Sequence, residues 1–146
     1  MNLFRIALAN LRFPATPEES VTLAEQAIAQ ASIERAGLIC FPECFTPGYR
    51  GMGKLVPPPD AAFLERAWST IAAAAAKANL AVVLGTERVV NGALLISALV
   101  INRDGTIAHP VPDRVLQSDQ HADVPAAVVE QYGDDVHGPR SRHGVQ

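Results

Sequence analysis

Cysteine is scarce in this chain: it occurs twice, as Cys40 and Cys44, within one short segment. So few thiols, placed so close together, do not make a disulfide framework, and reduced thiols are expected. Aromatic residues are also sparse, at 5% with a single tryptophan, and no run of lysine or arginine occurs. With a formal net charge of −3 and no basic-aromatic interleaving, nucleic acid is not an expected partner. Long apolar runs are missing too, so no segment is read as spanning a bilayer and no membrane partner is expected. The apolar start, Leu3 to Leu11, is broken by Arg5 and Asn10 and lacks the layout of a signal peptide, which points to a cytoplasmic protein. His109, His121, His137 and His143 match no metal-ligand spacing, so neither a metal nor another cofactor is expected.

What is present suffices for a core. Of 146 residues, 49% are hydrophobic and 18% charged, which suits one domain. Asn2 to Ala9 reads as a strand, with Phe4, Ile6 and Leu8 on one face. Thr16, Pro17 and Glu19 form a capping box with proline at the first helical position. A helix is predicted from Pro17 to Ala36, with Val21, Ala24, Ile28, Ala31 and Arg35 on one stripe and Gly37 as its stop. Leu38 to Phe41 is a second strand, apolar on both faces. A turn-rich loop, Pro42 to Pro59, leads to Asp60, which caps a helix from Ala61 to Ala78. Its buried stripe includes Leu64, Trp68, Ile71 and Ala75, and Trp68 is read as core. Leu80 to Leu84 is a third strand, which Glu87 to Val90 continues or follows as a hairpin arm. Asn91-Gly92 is a strong hairpin signal, Ala93 to Asn102 is the fourth strand, and Thr106 to Ala108 a short fifth. Strands alternating with helices indicate an α/β fold.

The chemistry centres on Phe41-Pro42-Glu43-Cys44-Phe45-Thr46-Pro47-Gly48-Tyr49. A strand that ends in Pro-Glu delivers a carboxylate to the rim of a sheet, where partial burial suits a general base. This wording resembles the glutamate motif of the nitrilase, or carbon-nitrogen hydrolase, superfamily. The opening Arg5-Ile6-Ala7-Leu8-Ala9 strand and helix, the strand Val82 to Thr86, and the stretch Asn91-Gly92 through Ile107 are similar to that family in order and spacing. The resemblance implies the first half of an α-β-β-α sandwich over residues 1–110, while 111–146 loses clear periodicity and is read from its composition as an irregular, disordered tail. It also implies an amidohydrolase of small amides, nitriles or carbamoyl compounds, working through a Glu-Lys-Cys triad. In such a triad the glutamate takes the thiol proton, the lysine stabilises the oxyanion and the cysteine forms a thioester.

Glu43 matches the base. Arg114 occupies the place expected for the lysine and keeps the positive charge, but its planar fork does not replace a compact ammonium. No cysteine follows Cys44, which is read as a structural or pocket-lining thiol because side chains adjacent in an extended segment diverge; Cys40 is read as core. The expectation is a family member that is truncated and inactive as this chain. The alternative is a non-catalytic fragment or assembly module that pairs with a complete homologue. Expected partners are a small amide or nitrile if the chain is active, and a second copy or a complete homologue if it associates.

Overall fold

A computed structural model describes residues 4–51 and 56–108 of the protein. Five strands form one sheet in the order β1-β2-β3-β4-β5, and two helices accompany it. β1 is Ile6–Leu8, α1 Pro17–Ile33, β2 Leu38–Cys40, α2 Ala61–Ala78, β3 Ala81–Val90, β4 Ala93–Ile101 and β5 Ile107–Ala108.

The three strands joined by helical connections are parallel: Ile6 pairs with Leu38, and Leu38 with Ala81. The chain then reverses at Asn91-Gly92, where both residues have positive φ, as a tight twisted hairpin requires. β4 runs back along the whole of β3, from Val90↔Ala93 to Val82↔Ile101. A second reversal at Asp104-Gly105 brings in β5. There Asp104 accepts hydrogen bonds from the Thr106 hydroxyl at 2.6 Å and the Thr106 N–H at 2.9 Å, which hold its carboxyl below the usual range.

Local signals start both helices as read. The Thr16 hydroxyl accepts from the Glu19 N–H at 3.1 Å, and the Asp60 carboxylate accepts from the Phe63 N–H at 3.0 Å. The end of α1 differs from expectation. The helix finishes at Ile33, and Arg35, not Gly37, takes the left-handed position with φ +58. Gly37 is instead small for space: a Cβ there would crowd the Phe4 ring and the Arg103 guanidinium. α2 ends at Ala78 as expected, with Asn79 in the left-handed position at φ +49. Leu80–Leu84 and Glu87–Val90 prove to be parts of one strand that passes straight through Gly85.

Both helices cover the same face of the sheet. Ala24, Ile28 and Ala31 of α1 and Ile71, Ala72 and Ala75 of α2 pack on Ile39, Val82, Leu84, Leu99 and Ile101. The helices meet each other as well, with the Ser32 hydroxyl donating to the Ala78 carbonyl at 2.9 Å.

The period-2 face of β1 lies opposite to this core. Ile6 is 57% exposed and Leu8 77% exposed, while Ala7 packs toward the helices. Register places Leu8, Cys40, Val83 and Val100 in one row of that second face. Leu94, Ile96 and Val100 of β4 are exposed on it, and Cys40, read as core, is half-buried there. The strands are apolar on both faces, but the described residues supply a layer for one.

Candidate active site

β2 runs on through Phe41, whose N–H donates to the Val83 carbonyl at 2.8 Å, before the chain turns at Pro42. The Phe45 N–H closes the turn on the Pro42 carbonyl at 3.3 Å. Cys44 adopts φ +48, so the segment is a turn and not the extended stretch expected, yet the side chains separate all the same. Cys44 and Phe45 go inward, with the Phe45 ring 5.2 Å from that of Phe41. Glu43 stays exposed at the carboxyl end of the strand. The expected partial burial of its carboxylate is therefore not seen. The turn lies against the middle of β3, at Gly85, and leaves the Glu43 side chain on its outer side.

Gly85 lets the turn lie so close. A Cβ on Gly85 would overlap the Pro42 carbonyl oxygen and stand 2.8 Å from Glu43 Cα. The next residue along β3 then receives the loop. The Thr46 N–H donates to the Gly85 carbonyl at 3.3 Å, and the Glu87 N–H donates to the Thr46 carbonyl at 3.2 Å, so Thr46 and Thr86 form a short parallel bridge. The bond between Thr46 and Pro47 is cis. Buried Thr46 also accepts from the Ser20 hydroxyl of α1 at 3.3 Å, and buried Thr86 accepts from the Trp68 indole N–H of α2 at 3.0 Å. Trp68 is thus core packing, as read, with a polar anchor added.

An ion pair with a buried carboxylate lies under this loop. Glu87 is 1% exposed, and Arg50 holds both of its oxygens, Nε to Oε1 at 2.5 Å and Nη2 to Oε2 at 2.9 Å. The remaining nitrogen, Nη1, donates to the carbonyls of Val56 at 3.3 Å and Pro57 at 2.7 Å. Neither residue stood out in the sequence. The available signal was an acidic side chain on the same strand face as Val83 and Val89.

Cys44 sits in the field of this pair. Burial, then Glu87, then Glu43 push its thiol up to about 11, against a smaller opposite pull from Arg50. A thiol held protonated in this way is a poor nucleophile at neutral pH. Arg114 and the four histidines lie outside the described residues, and no metal-binding cluster occurs among the described ones. No helix among the described residues is long and apolar enough to cross a membrane.

A strand–turn that presents a glutamate at the end of a mixed sheet backed by two helices defines a nitrilase-type α/β fold. The carbon-nitrogen hydrolase family model matches residues 5–133, and the chain belongs to that family. Solved structures agree. The crystal structure of an amidase from Nesterenkonia sp. is 25% identical with a TM-score of 0.59, covering 72% of this chain and 40% of that one. A cysteine-to-alanine mutant of the Nesterenkonia AN1 amidase, from the nitrilase superfamily, is 26% identical at TM-score 0.60, with the same coverages. A like mutant in complex with butyramide is 25% identical at TM-score 0.59, covering 72% of this chain and 41% of that one. The chain therefore spans about two-fifths of the length of these neighbours. No curated protein matches it.

Proposed function

We propose that these residues form the glutamate-bearing part of a carbon-nitrogen hydrolase site for small amides, with Glu43 as the general base. The supporting observation is the Pro42–Phe45 turn. It is packed against Gly85 so closely that its path is fixed, and it places Glu43 at the end of β2. Small amides are favoured over nitriles because the neighbours are amidases, one of them in complex with butyramide.

The chemistry asks for three groups. A cysteine thiol loses its proton to Glu43, and the sulfur attacks the amide carbon. The carbonyl oxygen becomes an oxyanion that a cation must stabilise. The proton passes to the departing amine, and water then cleaves the thioester. In this chain Arg114 is the candidate cation, and its fork geometry makes it a weaker match than an ammonium. The nucleophile has no counterpart within the 146 residues, since Cys44 is buried, held protonated and adjacent to the base. We therefore read the chain by itself as inactive.

A second reading is favoured by the apolar outer face of the sheet: a non-catalytic module that pairs with a complete homologue. Acyl trapping decides between activity and its absence. Incubation with small amides and detection by intact mass is expected to show no thioester on this chain, and an adduct mapped to Cys44 would overturn the inactive reading. Co-purification with a full-length homologue would favour the assembly reading.

A further inference from the structure

We infer that Arg50 and Glu87 are positioning residues: they form a clamp that fastens the loop after β2 onto β3 and so fixes where Glu43 is presented. The functional meaning of the clamp rests on Glu43 being the base; its existence does not.

Four observations converge. The Arg50 guanidinium spends its whole fork on the loop and the strand, with two nitrogens on Glu87 and the third on the Val56 and Pro57 carbonyls. One side chain thus joins both described ends of the loop to β3. Glu87 is almost fully buried while Arg50 keeps part of its surface in water, so removal of Arg50 leaves a buried charge uncompensated, and the loss is large. The same stretch of β3 carries the backbone bonds to Thr46 and, at Gly85, the close approach of Pro42 and Glu43. Release of the clamp therefore loosens the segment that holds the turn. Finally, Cys44, next to Glu43, is buried and senses Glu87 and Arg50 directly. Its thiol is a built-in reporter of loop position.

A bidentate pair suits this task better than an apolar contact. It fixes a direction as well as a distance, because the planar fork matches the carboxylate in one orientation.

The test is peptide-resolved labelling of the full chain with a maleimide, with no denaturant and at low urea. In Glu87→Gln, Cys44 labelling, compared at equal thiolate fraction because loss of the Glu87 charge by itself lowers the thiol pKa, should accelerate about a hundredfold, the scale of losing charge-assisted hydrogen bonds. The acceleration should not depend on urea, as befits local opening, and Cys40 labelling should not change. Arg50→Lys, which keeps the charge but loses the fork, should give a smaller rise of about tenfold. An unchanged Cys44 rate would overturn the clamp. So would a rise that climbs with urea in step with global unfolding followed by Trp68 fluorescence, since that marks a generally weakened fold. Should Glu87→Gln fail to fold, Arg50→Lys is judged by the same two outcomes. Labelling is independent of amide hydrolysis, so failure of the clamp and failure of Glu43 as base are told apart.

Discussion

Gly85→Ala tests how tightly the glutamate turn is built into the sheet. Gly85 lies within extended β3, where alanine is ordinarily tolerated. At such a site the substitution stabilises by about 0.4–1 kcal/mol, because it restricts the unfolded chain. Here the new Cβ overlaps the Pro42 carbonyl oxygen, lies 2.7 Å from its carbon and 2.8 Å from Glu43 Cα. These are backbone atoms, which cannot swing aside as a flexible side chain can. Forced shifts in packed regions cost about 1–3 kcal/mol. The sign therefore reverses, and the net loss is roughly 0.5–2 kcal/mol. With a urea slope of about 1–1.5 kcal/mol/M, the midpoint should fall by roughly 0.3–2 M. Urea titration followed by Trp68 fluorescence measures this, since Trp68 is the single tryptophan and bonds to Thr86, the residue after Gly85. Gly92→Ala is the control. Nothing lies within 4 Å of its Cβ, but its φ is +79, so it loses about 1 kcal/mol through backbone strain alone. Gly85→Ala should also speed Cys44 labelling, and Gly92→Ala should not. A Gly85→Ala midpoint at or above wild type would refute the close packing of turn on strand.

Trp68→Phe removes the donor to buried Thr86 and should cost about 1–2 kcal/mol, read by circular dichroism in urea; no change would mean the bond is idle. Glu19 accepts from Arg12 and from the Ala15 N–H, which hold its carboxyl down at about 2. Its folded value is depressed, so its contribution is full above the ordinary 4.5 and is lost as pH falls towards 2; Glu19→Gln should flatten that part of the stability profile, and an unchanged slope would contradict this. The sheet face that the described residues leave bare should make the isolated chain associate, visible by sedimentation, with Leu8→Lys shifting it to smaller species at little cost in stability because Leu8 is already exposed. A compact, dye-negative wild-type monomer would show that the face is covered by the rest of the chain.

The helix starts, the Asn91-Gly92 reversal and the succession of strands and helices along the chain were legible because each depends on neighbours in sequence: a cap, a glycine with positive φ, a period of two. The stop of α1 was misplaced by two residues because Gly37 has two candidate uses, and packing beside Phe4 won over the left-handed turn, which fell to Arg35. Glu43 was legible as a motif residue at a strand end, but its exposure was not, since that depends on what lies across the turn. Arg50 and Glu87 meet across 37 positions, and no local pattern marks such a pair. Nor could periodicity tell which apolar face of β1 packs under the helices. Alternation identifies two faces, and here the one with the smaller side chains, Ala7 and Ala9, was buried.

Ammonia release from a panel of small amides, butyramide among them, bears most directly on the reading of this chain as a glutamate-bearing part without its own nucleophile. The prediction is no turnover above a buffer control, with wild type and Cys44→Ala indistinguishable. Turnover that disappears in Cys44→Ala would contradict it and make the buried thiol the nucleophile.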